Sequence, residues 1–275
     1  MSGAVALDHL TKRYRLDPGK KVALDEIPTD DKAGWSKDDA RPATAKLWKR
    51  LLERQEVLAA TDTHALLIVL QAMDAGGKDS TIRHLSRGLS VGEAEVAAFK
   101  APTDVERAHD FLWRVHRRVP PLGKIGIFNR SHYEDVLVVR VKELVPKAVW
   151  KARYEQINAF EALLASANVH IVKIFLHISK AYQTKRLKRR LDLPEKHWKL
   201  TADDLRERKR WDEYQRAYAD ALERCSTEAA PWYVVPAEHR WFRDLLVARI
   251  VVERLEALGL EYPPPTIDPK DVVLE

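Results

Sequence analysis

At 275 residues, with 45% hydrophobic and 32% charged side chains, the chain can bury a sizeable core under a heavily ionic surface, as one domain or one domain with an insertion. Cys225 is the only cysteine, which excludes an internal disulfide and a cysteine-based zinc cluster, and no apolar run approaches the ~20 residues of a membrane helix. Residues 1–10 lack a signal-peptide pattern, so the expectation is a cytoplasmic protein, and the formal charge of +6 points to an anionic partner.

Residues 1–45 are polar and turn-rich, with Pro28, Gly34 and Pro42 interrupting every periodic pattern, and they predict an irregular arm lying on the domain. Leu47, Trp48, Leu51, Leu52 and Leu58 then share one face of a helix over 44–59. A buried strand follows at 65–70, a helix at 79–89 and a second strand at 95–99. Thr103, with Glu106 three residues on, forms a capping box for a helix that carries Phe111, Leu112, Trp113 and Val115 and stops before Pro120. A third strand at 124–128 ends in a polar cluster, Asn129-Arg130-Ser131-His132-Tyr133-Glu134-Asp135.

Beyond it the pattern predicts a helix over 146–166, a strand over 169–178 and a strongly basic helix broken at Pro194. A long amphipathic helix at 203–224, a fifth strand at 232–235 and a closing helix at 241–258 complete the domain, and a proline-rich tail from Pro263 is extended. Strands alternating with helices predict an α/β fold with a five-stranded parallel sheet flanked by helices. Ligands of such sheets bind at the carboxyl ends of the strands. Polar clusters follow Leu70 and Phe128 at two such ends, which favours an enzyme.

The first cluster, Met73-Asp74-Ala75-Gly76-Gly77-Lys78-Asp79-Ser80, suits phosphate. Adjacent glycines let backbone N–H groups close round an anion, the helix that follows offers its positive end, and Lys78 adds a mobile charge. Phosphate is therefore expected at Ala75, Gly76, Gly77, Lys78, Asp79 and Ser80. The loop departs from the Walker A pattern, with Ala72 at the first glycine and Asp79 at the Ser/Thr. A plain strand-to-helix turn is the competing reading. Asp74 argues against it, because a carboxylate in a phosphate nest repels its ligand unless a cation mediates, which predicts Mg²⁺.

In the second cluster Arg130 has the planar fork that fits phosphoryl oxygens, and its carboxylates sit where P-loop enzymes place a metal-holding acid. A salt-bridged strand–helix junction is the alternative, and His132 is expected to be an ordinary hydrogen-bonding side chain. Residues 181–210 hold eleven Lys/Arg against five Asp/Glu. A solvated face is the usual meaning of such a run. Here the excess has one sign and would favour a long polyanion by counterion release, which keeps nucleic acid in view as well.

These residues resemble the polyphosphate kinases of type 2. The resemblance rests on the loop 71–79, the cluster 129–137, segments around Pro102-Thr103 and Phe111 to His116, the run 190–199, and Ala230 to Ala237. It covers roughly 44–260 and implies a three-layer P-loop kinase fold: a domain over 46–262 with a helical lid at about 181–212, after an arm at 1–45 and before an extended tail at 263–275. It implies transfer of the terminal phosphoryl group of inorganic polyphosphate to adenine and other purine nucleotides, with Mg²⁺, or Mn²⁺ in its place, and a homo-oligomer. By the same carry-over Asp74 and Glu134 hold the metal, Lys78 holds phosphates, and Arg130 stabilises the moving group. Lys188, Arg189, Lys199, Arg206 and Arg208 look like the polyphosphate track, and Phe99, Thr103, Arg114, Asn129 and Arg130 like the nucleotide site. Asn129 and Glu134 resemble the subgroup that accepts both AMP and ADP. Trp113, Trp211 and Tyr214 are expected in packing. Two rivals stand beside this reading: an ATP-dependent small-molecule kinase, disfavoured by the altered loop and basic lid, and a nucleic-acid-binding protein, which leaves Asp74 unexplained and has few aromatics among its basic residues. Membrane is not expected as a partner.

Overall fold

The computed structural model describes residues 4–199, 202–267 and 270. Five strands, β1 (Ala65–Ala72), β2 (Ala94–Ala98), β3 (Ile125–Asn129), β4 (Val169–His177) and β5 (Trp232–Pro236), form one parallel sheet in the order β2-β3-β1-β4-β5. Every residue of β1 is buried, because helices cover both faces of a parallel sheet and leave it no wet side. The register sets Leu70 of β1 beside Asn129 of β3. The two polar clusters therefore leave the sheet as neighbours.

Helices α2 (Lys78–Leu85) and α10 (Arg240–Glu256) pack together on one side of the sheet, with α1 (Lys37–Thr61) laid along α10. On the other side α6 (Lys147–Ser166) packs against β4, with α9 (Trp211–Cys225) beside it. The arm supplies Leu10, Tyr14, Val22, Leu24 and Ala33 to the core. It also covers the outer edge of β5: Leu16 N–H donates to the Trp232 carbonyl at 2.8 Å, and Val234 N–H to that of Tyr14 at 2.9 Å. A covered edge cannot recruit another strand.

Three expectations about helices change. First, α1 begins at Lys37, so Pro42 and the 45/46 boundary both lie inside it. Ser36 caps the helix, its hydroxyl accepting from Asp39 N–H, and Asp38 and Asp39 favour the positive first turn. Burial of Ala40, Thr44, Leu47 and Leu51 along one stripe outweighs the backbone bond that Pro42 forgoes.

Second, the helix expected after Thr103 is two short ones, α3 (Asp104–Arg107) and α4 (Trp113–His116). The capping box forms as expected. The break comes at Asp110, whose carboxylate accepts from Leu112 and Trp113 N–H at 2.9 and 3.1 Å and so diverts the backbone. Third, the helix expected over 203–224 is divided at Arg210 into α8 (Ala202–Lys209) and α9. Trp211 and Tyr214 are packed, as expected. α7 (Lys180–Asp192), a 3₁₀ turn over Pro194–Lys199 and α8 make up the basic helical segment read above as a lid. The remaining helix, α5 (Val138–Val141), leads into α6. Residues 263–267 carry no helix or strand; the rest of the expected tail, Lys270 apart, lies outside the described residues. Among the described residues no helix is long and apolar enough to cross a membrane.

Candidate active site

The loop after β1 is compact. Gly76 N–H donates to the Met73 carbonyl at 2.9 Å, and a Cβ on Gly76 would meet Ala72 Cβ at 2.7 Å and Met73 O at 2.8 Å. Ala72 at the first Walker position is thus accommodated by a glycine four residues later. Gly77 turns at φ 105° and leads into α2 without any side chain capping the helix, so its first N–H groups remain available to an anion. Lys78 Nζ donates to the Ala72 carbonyl at 2.9 Å. Burial in the loop pulls its pKa below the ordinary 10.5, and the Arg130 guanidinium adds to this, while Asp74, Glu134 and Asp79 oppose it.

Arg130 occupies the centre. One arm of its guanidinium donates to Asp74 Oδ1 at 2.9 Å and the other to Glu134 Oε2 at 3.0 Å, so a single fork holds both carboxylates. The Glu134 charge, against burial and with help from Asp74, raises its pKa above the ordinary arginine value. Asn129 Nδ2 donates to Asp79 Oδ1 at 2.9 Å, tying the two clusters together. Tyr218 of α9 donates to the Ala72 carbonyl at 3.0 Å. Burial, then the nearby carboxylate of Glu134, raises its pKa well above 10, so it stays a donor.

Asp74 and Glu134 are hard oxygen donors that share one guanidinium, and no group of three His, Cys, Asp or Glu gathers among the described residues. Two partly exposed carboxylates leave most of a cation's ligands to substrate and water, which fits Mg²⁺ better than a cation that needs a closed protein cage.

The expected nucleotide residues do not all assemble. Asn129 and Arg130 face the loop, but Phe99 is buried edge-on against Phe128 at 4.9 Å, and Arg114 is buried with it, donating to the Lys100 carbonyl at 2.8 Å. Thr103 is engaged in its capping box. Trp113 is not core as expected: the break at Asp110 turns it outward, stacked on His109 at 4.0 Å and under Arg117. It lines a cleft of about 330 Å³ with Asp110, Leu112, His116 and Arg117. His132 makes a buried hydrogen bond, as expected of it.

The lid cations divide into two groups. Lys188 and Arg189 line a groove of about 1130 Å³ between α1, α2, α7 and the start of α10, together with Arg41, Arg87, Arg186, Arg240, Trp48 and Trp241. Burial pulls the Arg186 pKa down, and the like charge of Arg240 pulls it further, a mark of cationic crowding. The second group is occupied locally. Arg206 pairs with Asp203, Lys199 lies over the Trp198 ring, and Arg208 reaches Gln183 Oε1 and Thr184 Oγ1 at 2.5 Å each.

Sequence reasoning missed Arg41, Arg87, Gln183 and Arg243. Arg243 is 2% exposed, donates to Ser80 Oγ at 3.0 Å and pairs with Asp244, which also lines the groove. Its tip fills the space beside Gly77, where a Cβ would come within 2.5 Å. An Arg-Asp pair interrupting the apolar pattern of the closing helix was its one signal.

The family model for Polyphosphate kinase 2 (PPK2) matches residues 34–261, beginning beside the Ser36 cap of α1. An AMP/ADP-polyphosphate phosphotransferase of Meiothermus ruber is 50% identical over 266 residues, 96% of this chain and 100% of the relative. An ADP-polyphosphate phosphotransferase of Rhodopseudomonas palustris is 42% identical over 269 residues, 93% of each chain. The solved structure of polyphosphate kinase 2 from Arthrobacter aurescens TC1 matches with a TM-score of 0.92 at 40% identity, covering 97% of this chain and 96% of that one.

Proposed function

The chain belongs to the polyphosphate kinase 2 family, and we propose that it moves the terminal phosphoryl group of inorganic polyphosphate onto adenine nucleotides, AMP to ADP and ADP to ATP. The observation that carries the assignment of roles is the Arg130 fork between Asp74 and Glu134, held against a phosphate loop. The loop N–H groups and Lys78 bind the donor phosphates. The groove lined by Lys188 and Arg189 carries the rest of the polyanion. Its breadth of positive charge suits a long donor better than the compact tail of ATP.

Transfer is in line. An oxygen of the acceptor phosphate forms a bond to the terminal phosphorus as the bond to the bridging oxygen breaks, and the shortened polyphosphate leaves with that electron pair. The acceptor phosphate is already ionised at neutral pH, so no general base is required. Arg130 exchanges carboxylate partners for the equatorial oxygens of the moving group, and Lys78 offsets charge on the donor. Mg²⁺, for which Mn²⁺ is the substitute, would be held by Asp74 and Glu134 and supplies neutralisation of phosphate charge. Asn129 sets an uncharged amide beside the acceptor and Glu134 a carboxylate nearby, which favours acceptors with either one or two phosphates.

Purified protein given long-chain polyphosphate, Mg²⁺ and AMP without ATP should form ADP and then ATP. ADP alone restricts the reading to monophosphate phosphorylation. No product from AMP or ADP, with turnover only when ATP is the donor, replaces it with an ATP-dependent kinase.

A further inference from the structure

Between the two outward-facing members of the second cluster, Arg130 and Glu134, three side chains turn inward. Ser131, His132 and Tyr133 are each fully buried. Beneath them Glu161 of α6 and Lys173 of β4 form an ion pair sealed from water, with side-chain exposures of 1% and 0%. Lys173 Nζ lies 2.5 Å from Glu161 Oε2 and donates to the Tyr133 hydroxyl oxygen at 2.9 Å and to the Cys225 carbonyl at 2.5 Å. The Tyr133 hydroxyl donates to Glu161 Oε1 at 2.8 Å, and His132 Nε2 lies 3.0 Å from the same oxygen.

Burial alone would raise the Glu161 pKa; the Lys173 charge and the His132 hydrogen bond outweigh it and hold the carboxyl below its ordinary range. A buried ion pair of this kind is a poor source of stability, because desolvating two charges costs about as much as their attraction returns. Its distinctive effect is direction: it pins two consecutive residues of the loop by hydrogen bonds of fixed geometry. Arg130, two positions before His132, needs pinning. Arg130 has φ 63°, left-handed backbone that a side chain larger than glycine adopts only when its surroundings impose it. Arg130 N–H donates to the Leu70 carbonyl at 3.1 Å, and Gln71 Nε2 donates to Ser131 Oγ at 3.2 Å, completing the clamp.

We propose that Glu161 and Lys173 are positioning residues for phosphoryl transfer. Through Tyr133 and His132 they hold the Arg130 backbone left-handed, and so set where its guanidinium meets the reacting phosphates. The role rests on the function proposed above, but the clamp itself is measurable without turnover.

The test uses the full chain and three variants: Tyr133→Phe, Glu161→Gln and Lys173→Met. Deuterium uptake over 130–136 should rise in each, with cooperative melting retained in Tyr133→Phe, which removes one oxygen and keeps the ring. With polyphosphate and AMP, kcat should fall roughly 10-fold in Tyr133→Phe and about 100-fold in Lys173→Met, while both KM values stay within about twofold. In an Arg130→Ala background the same changes should cost no further activity, because they act through Arg130. If Lys173→Met does not fold, Tyr133→Phe and Glu161→Gln decide. Unchanged uptake in those two, or a rate loss that multiplies with that of Arg130→Ala, overturns the inference. An inactive wild type would refute the proposed function and leave the uptake result to judge the clamp.

Discussion

The side-chain amide of Gln183, on the first helix of the lid, donates to the main-chain oxygen of Asp74 at 2.9 Å. Arg208, on the last helix of the lid, holds the other end of that amide. The segment read as a lid therefore touches the loop after β1 through one buried glutamine, at the residue proposed to hold the metal. Lid position and loop geometry are coupled at this point.

Removing that link should be felt in catalysis more than in stability. Gln183→Ala gives up hydrogen bonds worth about 1 kcal/mol, so kcat/KM for polyphosphate should fall roughly fivefold. An unchanged kcat/KM would show that the lid and loop move independently.

Loss of either central cation should be severe. Lys78→Ala and Arg130→Ala are each expected to lower kcat roughly 100- to 1,000-fold with the circular dichroism spectrum preserved. A rate near wild type in either variant would remove that residue from the mechanism.

The division of the lid cations is testable by charge reversal. Lys188→Glu and Arg189→Glu should raise KM for polyphosphate roughly fivefold at low ionic strength while leaving KM for AMP little changed, and the effect should shrink in high salt. Arg206→Glu should do less, since Arg206 is exposed and already paired with Asp203. Equal effects from all three would mean that the groove does not select the chain's path.

Glu134→Ala tests the choice of acceptor. It removes the carboxylate that Arg130 Nη1 holds at 3.0 Å, and the ratio of ADP to AMP utilisation should shift roughly tenfold. Competing the two acceptors in one reaction reads the ratio directly, and a constant ratio would exclude Glu134 as the selector.

Acid stability should depend on a residue far from the site. His170 stacks on His64 at 5.2 Å and receives Arg254 at 3.1 Å. Burial, then the Arg254 and His64 charges, lowers its pKa to about 4 from 6.5. Between those values the unfolded chain binds a proton that the folded one does not, so stability should decline as pH falls from 6.5 towards 4. His170→Gln should flatten that part of the urea-midpoint profile. A parallel decline in wild type and variant would assign it to other groups.

Much of the molecule was legible in the sequence because the signals are local. β1 reads as a strand from one unbroken apolar run, Gly76-Gly77-Lys78 reads as a phosphate turn from adjacent residues, and the Thr103–Glu106 box spans a single helical turn. Errors arose where one signal overrode another. Pro42 looked like a breaker, yet the stripe from Ala40 to Leu51 buries against the domain and carries the helix through it. Trp113 looked like core until Asp110 captured the backbone ahead of it.

Sequence alone thus determined the fold class, the two polar clusters and the chemistry they suit, since those follow from residue type and short spacing. Only the tertiary structure decided that Arg130 bridges Asp74 and Glu134, that Lys188 and Arg189 part company with Arg206 and Arg208, and that Arg243 braces Gly77. The physical reason is the same in each case. Apart from Arg130 and Glu134, which are neighbours in one cluster, those contacts join residues from 56 to more than 160 positions apart, and their meeting is set by strand order and helix packing, to which no single stretch of chain has access.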